Sequence, residues 1–269
     1  MRQYFKFAMN KLKPSKVIQD IYGLSYFDSR VDALTRHIAQ HEVFGEYKEL
    51  DDLITKYQVS FGTAIDVGAN IGLISLPLSK RFCKVVSFEP DPNNFRVLKK
   101  NLSLNQSVNI KIHQVAVGDS PKKMELSVNR VIDGEGMINT GLSSLCEKNR
   151  IYSKKLVKVD VVVIDDYCSN NGIHDLDFLK IDTEGYEYFT LLGAIETIKS
   201  SLPTIFYEFS LILDARMGVE NRKKSFKLLH DLGYIHYYLN GSLYKKMNYD
   251  DIASVRGDIN LFAVHGGRV

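Results

Sequence analysis

The chain has 269 residues, 45% hydrophobic and 25% charged, long enough for one α/β domain with a full core and a short extension. Its net charge of +3 argues against a nucleic-acid partner. Three widely spaced cysteines, Cys83, Cys146 and Cys168, form no C-x-x-C pair and fit a reducing, cytoplasmic setting; no signal-peptide pattern is read, and the uncharged stretch 67–79 is too short and interrupted to span a bilayer.

Residues 1–55 read as a mainly helical amino-terminal extension. Arg2, Lys6, Lys11, Lys13 and Lys16 share residues 1–16 with Tyr4, Phe5, Phe7 and Met9. Such a segment suits peripheral contact with the inner face of an anionic membrane, or packing on the core or on a second subunit of a homo-oligomer. His37 and His41 stand four apart on an expected helix, a spacing that suits zinc, but no third ligand is near and an exposed helix face explains them. The apolar run 64–67 is the first core strand; it enters a turn spaced by Gly68 and Gly72 that opens a helix over 73–82. A second strand, 85–88, ends at Glu89, and apolar residues spaced among charges predict a helix over 91–105. Strands are expected at 108–117, 156–164, 176–181 and 204–209, with a helix over 186–200 between the last two. The glycine-rich stretch 133–144 reads as a loop, either a lid or acceptor-binding element or an ordinary connection. Arg222, Lys223, Lys224 and Lys227 form a basic face on a further helix, read as solvated. The runs 234–239 and 259–264 lack a long helix between them and read as an antiparallel pair at the sheet edge. Alternation of strands and helices gives an α/β fold, a mostly parallel sheet with helices on both faces.

The first two strands converge on a nucleoside site. Glycines at 68 and 72 permit positive φ and close approach of a ligand. Glu89 follows the first glycine by about 20 residues, where dinucleotide folds place a ribose-binding acid. Asp66 would repel a pyrophosphate but suits a cationic amino group, and Asn70 stands where a dinucleotide fingerprint carries glycine. These features favour S-adenosylmethionine over NAD. An NAD-dependent oxidoreductase or epimerase is the alternative, but a Tyr-x-x-x-Lys pair is not evident, since 152–156 fails at its last position. A non-catalytic scaffold of the same fold is a third reading.

The segments IDVGANIG (65–72), FEPDPNNFRVLKKNLSLN (88–105), VAVGD (115–119) and, above all, LKIDTEGYEYFTLLGA (179–194) resemble the FkbM family of class I S-adenosylmethionine-dependent methyltransferases. The resemblance runs over roughly residues 42–265 and implies a Rossmann-like class I methyltransferase domain, 56–269, with an antiparallel edge strand. It implies O-methylation of a hydroxyl on a sugar, polyketide or other glycan-like acceptor, for which a lipid-linked glycan would make the basic amino terminus convenient. By the same resemblance, Asp66, Gly68, Asn70 and Gly72 line the methionine and ribose side, Glu89 binds the ribose hydroxyls, and 114–117, with Gln114 and Ala116, lies near the adenine. Asp182 would face the reactive methyl group. An acceptor hydroxyl must shed a proton, so a general base is called for: Asp182 first, then Glu184 and His236. Each has a plainer role, as helix cap, first-turn charge and strand residue respectively. Asp182, Glu184, Glu187 and Glu208 are hard oxygen donors of the kind that hold magnesium, but sequence spacing does not bring them together and no metal site is signalled.

Overall fold

The computed structural model describes residues 16–28, 32–41, 45–57, 59–128, 140–145, 155–210, 221–240, 243–255 and 257–268. The hairpin of β1 (Lys16–Gln19) and β2 (Ser25–Asp28) is followed by α1 (Ala33–His41) and α2 (Gly45–Lys56). Next come β3 (Thr63–Val67), α3 (Ser75–Arg81), β4 (Lys84–Phe88), α4 (Pro92–Leu104) and β5 (Ile110–His113). A small second sheet holds β6 (Ala116–Val117), β7 (Lys122–Ser127) and β8 (Leu156–Val162). The chain continues through α5 (Ile164–Asn170), β9 (Phe178–Ile181), α6 (Glu187–Leu192), α7 (Ile195–Ser201), β10 (Thr204–Ser210), α8 (Asn221–Asp231), β11 (Tyr234–Asn240), β12 (Leu243–Met247) and β13 (Asp258–His265).

The main sheet runs β12-β11-β13-β10-β9-β3-β4-β5. It is parallel from β10 to β5 and antiparallel where β13, β11 and β12 add to it. From β3 the chain winds outward through β4 and β5, then returns to lay β9 on the other side of β3. That reversal opens a crevice at the carboxyl ends of β3 and β9, where doubly wound sheets bind ligands. Alternate residues fill two layers: Ile65, Val67, Leu179, Ile181, Ile205 and Tyr207 pack on one face, Ala64, Phe178 and Phe206 on the other. Burial on both faces explains why these strands read as near-continuous apolar runs. This is the α/β architecture with a mostly parallel sheet that the alternation of strands and helices predicts.

Several expected boundaries shift for physical reasons. The run 108–117 is two strands: β5 stays in the main sheet, and after Gln114 the chain leaves to pair β6 with β8. The strand expected at 156–164 therefore belongs to the second sheet, where β7 also pairs with it. The helix expected over 186–200 breaks at Gly193, whose missing Cβ lets the backbone close on Gly118; an added Cβ would lie 2.0 Å from the Gly118 carbonyl oxygen. The amino-terminal extension carries a β-hairpin besides its helices, and Tyr47, Leu50, Leu53 and Ile54 of α2 pack into the sheet core. His37 and His41 are exposed on α1, their rings 4.4 Å apart. The basic residues of 222–227 lie on α8, where Lys227 pairs with Asp231 at the surface. Among the described residues no helix is long and apolar enough to cross a membrane. The basic aromatic residues 1–15 lie outside the described residues.

Asn101 of α4 ties the extension to the glycine turn. It is fully buried, donates to the Ile71 carbonyl at 2.8 Å and accepts the Phe27 N–H at 2.7 Å, while Asn105 exchanges hydrogen bonds with both backbone groups of Ser25. Asn101→Leu fills similar space but strands two backbone groups, so about 2–4 kcal/mol of stability should be lost. Urea unfolding at unchanged m-value measures it; a loss below about 1 kcal/mol would show that hairpin and turn are held by other contacts.

Candidate active site

A pocket opens over the carboxyl ends of β3, β4 and β9, with Gly68, Asn70, Glu89, Ala116, Asp182 and Glu184 on its wall. Gly68 has φ +79°, and a Cβ there would lie 1.7 Å from the Asp182 carbonyl oxygen, so the β3 turn passes the end of β9 at backbone contact. Asn70 also takes positive φ, +51°, a conformation that asparagine tolerates better than most residues. Its N–H donates to Glu89 Oε2 at 2.8 Å, and the Asp91 N–H donates to Glu89 Oε1 at 2.8 Å. Glu89 is thereby fixed at the end of β4, buried at the pocket wall. A carboxylate offers about four acceptor positions, so two remain for a ligand diol. Burial pushes its carboxyl up to about 8, against the pull of the two backbone donors.

Below this floor runs a buried polar chain. Ser87 Oγ donates to Ser75 Oγ at 2.9 Å, Ser75 Oγ donates to Asp66 Oδ2 at 2.5 Å, and Asp66 Oδ1 lies 3.5 Å from Lys180 Nζ. Asp66 and Lys180 are direct cross-strand partners of β3 and β9. Lys180 also donates to the Gly68 carbonyl at 3.0 Å and to Asp182 Oδ2 at 3.4 Å. Burial would lower its pKa, but Asp182, Asp66 and Glu46 outweigh that and keep the ammonium charged. Asp66 is thus committed beneath the pocket and is absent from its wall, contrary to the expectation that it meets the ligand.

The acids expected at the reaction end do converge. Asp182, Thr183 and Glu184 follow β9 onto the pocket wall. Glu187 caps this turn: its Oε1 accepts the Thr183 N–H at 2.8 Å, the Thr183 hydroxyl at 2.9 Å and the Gly185 N–H at 3.1 Å. Burial, then Asp182 and Glu187, push the Glu184 carboxyl well up. Residues from outside the main sheet cover the pocket. Val115, Leu126 and Leu145 supply an apolar slot, Ser143 donates to Asp91 Oδ2 at 2.9 Å, and the Ser144 hydroxyl donates to the Glu184 carbonyl at 2.7 Å. The end of the loop read at 133–144 therefore touches both ends of the pocket; residues 129–139 lie outside the described residues.

Three expected residues are not brought to the wall besides Asp66. Gly72, φ +95°, serves helix packing, since a Cβ would meet Leu98 Cδ1 at 2.7 Å. Gln114 is exposed, and its neighbours Val115 and Ala116 face the pocket instead. His236 is 1% exposed, stacked on Phe226 at 3.8 Å with Nδ1 3.2 Å from the Tyr207 hydroxyl. Burial lowers its pKa to about 3, so it stays neutral and inside the core.

A family model described as Methyltransferase FkbM domain matches residues 66–242, spanning the glycine turn, Glu89 and the Asp182 segment. The chain belongs to the FkbM methyltransferase family. Methyltransferase sdnD of Sordaria araneosa is 29% identical over 160 residues, 49% of this chain and 60% of that protein. 2-O-methyltransferase NoeI of Sinorhizobium fredii is 24% identical over 146 residues, 50% of this chain and 58% of NoeI. The matched stretches thus span little more than half the length of these relatives. The crystal structure of Methyltransferase FkbM from Methylobacillus flagellatus KT aligns with a TM-score of 0.45 at 19% identity, over 76% of this chain and 44% of that one.

In this FkbM chain, sequence reasoning missed Lys180 and Glu46. Lys180 had a signal: a lysine inside the apolar run 178–181 is rarely buried unless paired. Glu46 had none, because only the fold brings the start of α2 near Lys180 and Asp182, where burial pushes its carboxyl up to about 7.

Glu89 gives a pH signature. Its folded pKa is raised from 4.5 to about 8, so the folded state holds a proton that the unfolded chain has released. That stabilisation is complete below about pH 4.5 and is lost as pH rises to about 8, at up to about 1.4 kcal/mol per unit. The ligand-free FkbM protein should weaken over this window, and Glu89→Gln should flatten the decline of its urea midpoint. An equal slope in the variant would assign the effect to other acids.

Proposed function

We propose that this methyltransferase carries a methyl group from S-adenosylmethionine to a hydroxyl of a sugar or glycan-like small-molecule acceptor. The observation that carries the cofactor is Glu89, a buried carboxylate pinned by two backbone N–H groups beside an apolar slot, with acceptor capacity left for two ribose hydroxyls. The pocket's excess of acid also suits a cationic ligand better than a pyrophosphate. When bound, the cofactor supplies an electrophilic methyl carbon and leaves as a neutral thioether. The chain's task is to hold the acceptor oxygen in line and receive its proton. Asp182, on the wall and steadied by Lys180, is the first proton acceptor in this reading, and Glu184 stands beside it. Support for oxygen as the nucleophile is the name of the relative NoeI, a 2-O-methyltransferase. A cytoplasmic setting fits the unpaired Cys83 and Cys168.

Calorimetric titration with S-adenosylhomocysteine, with NAD in parallel, tests the reading. The homocysteine nucleoside alone should bind, and Glu89→Ala should weaken it about 10- to 100-fold, the worth of hydrogen bonds to a charged group. Binding should release protons near neutral pH, because ribose hydroxyls favour the ionised carboxylate; buffers of different ionisation enthalpy reveal this. NAD binding in place of the nucleoside would overturn the proposal. With a panel of mono- and oligosaccharides, Asp182→Asn should cut methylated product by about 10²–10⁴.

A further inference from the structure

Beyond the cofactor pocket, carboxylate oxygens of Asp182, Glu187 and Glu208 lie within 4.8 Å of one another. They come from the end of β9, the first turn of α6 and the body of β10. Glu208 Oε2 is closed off from solvent and has no hydrogen-bond partner among the described residues. Burial first, and then Asp182, Glu184, Glu187 and Asp258, push the Glu208 carboxyl well up. Lys180, the buried cation nearby, is already spent on Asp66, Asp182 and the Gly68 carbonyl. Glu187 uses only Oε1 for its cap. The geometry points to a divalent cation of the magnesium class held by Asp182, Glu187 and Glu208.

The donor set is all hard oxygen, which selects Mg²⁺, Mn²⁺ or Ca²⁺ over softer metals. Two oxygens on opposite sides of such an ion are about 4.2–4.8 Å apart at bond lengths of about 2.1–2.4 Å, and the three oxygens here lie within that reach of one another, inside 4.8 Å. Three protein ligands leave coordination positions for water or an acceptor oxygen, and Asp182 belongs both to the trio and to the pocket wall. An ion there would orient an acceptor hydroxyl and lower its proton affinity. The role of the ion rests on the methyltransferase reading; its binding does not.

Titration of the purified chain with Mn²⁺, followed by electron paramagnetic resonance of the free ion, tests the site without any acceptor. Wild type should take up one Mn²⁺ per chain, displaced by Mg²⁺. Glu208→Gln and Asp182→Asn should each weaken uptake at least tenfold, with saturable S-adenosylhomocysteine binding by Glu208→Gln showing that it is folded. No uptake, or equal uptake by wild type and both variants, would overturn the site and leave protons as what neutralises these acids. Nucleoside binding without Mn²⁺ uptake sinks this inference alone, whereas Mn²⁺ uptake without nucleoside binding supports it and sinks the cofactor reading.

Discussion

The ammonium of Lys180 holds the floor of the site together. It lies between the carboxyl ends of β3 and β9 and touches Asp66, Asp182 and the Gly68 carbonyl. A charge buried this deeply is tolerated only when its partners stay in place, and removing one partner leaves an uncompensated ion. The two strand ends are therefore locked in register, and Gly68 must be glycine because the turn passes Asp182 at backbone contact. Ser75 and Ser87 extend the lock to α3 and β4. The crevice created by the reversal of strand order is thus bounded by separately anchored strand ends, and Glu89 and Asp182 both line it.

Anchoring also explains how so many acids share one site. Glu89 accepts two backbone N–H groups and Glu187 accepts two N–H groups and a hydroxyl. Asp91 caps α4 through the Asn93 N–H and accepts Ser143. Each carboxylate caps a local turn, Glu89 on the pocket wall and Glu187 and Asp91 behind it, so the energy that fixes its position comes from turn geometry and not from a ligand. What the caps leave unsatisfied is charge: burial first, and then neighbouring acids, Asp91 beside Glu89 and Asp182 beside Glu184, Glu187 and Glu208, raise all four carboxyls. Such a site is most comfortable with protons or with ligands that bring positive charge.

The parts legible in the sequence are those fixed by neighbours along the chain. The glycine turn and Glu89 at a strand end follow from local periodicity and turn chemistry, the Asp182 segment was marked by the family resemblance, and Gly68, Glu89 and Asp182 reach the wall. Direction across the sheet was not legible. Asp66 lies one residue before Val67 and two before Gly68, both on the wall, yet alternation turns it down toward Lys180. The same alternation in the run 234–239 left His236 open to a catalytic reading, but burial against Phe226 decides for the core. The second sheet was invisible as a unit because β6 has two residues and continues an apolar run that begins in β5.

That second sheet divides the labour of the pocket. The end with Gly68 and Glu89 is built from strand termini tied by backbone contacts, where substitution of either residue disturbs the fold and the pocket at once. The cover is built from Leu126 on β7 and from residues 140–145; its contacts with the main domain include two serine hydroxyls, one on Asp91 and one on the Glu184 carbonyl, and the packing of Leu126 and Leu145 with Tyr186. Neither hydrogen bond is part of the ladder between β3 and β9, so side chains of the cover do not set that register. On the proposed reading, specificity for an acceptor has room to vary in the cover and at the acidic end, while the demands of a nucleoside cofactor fall on the strand ends.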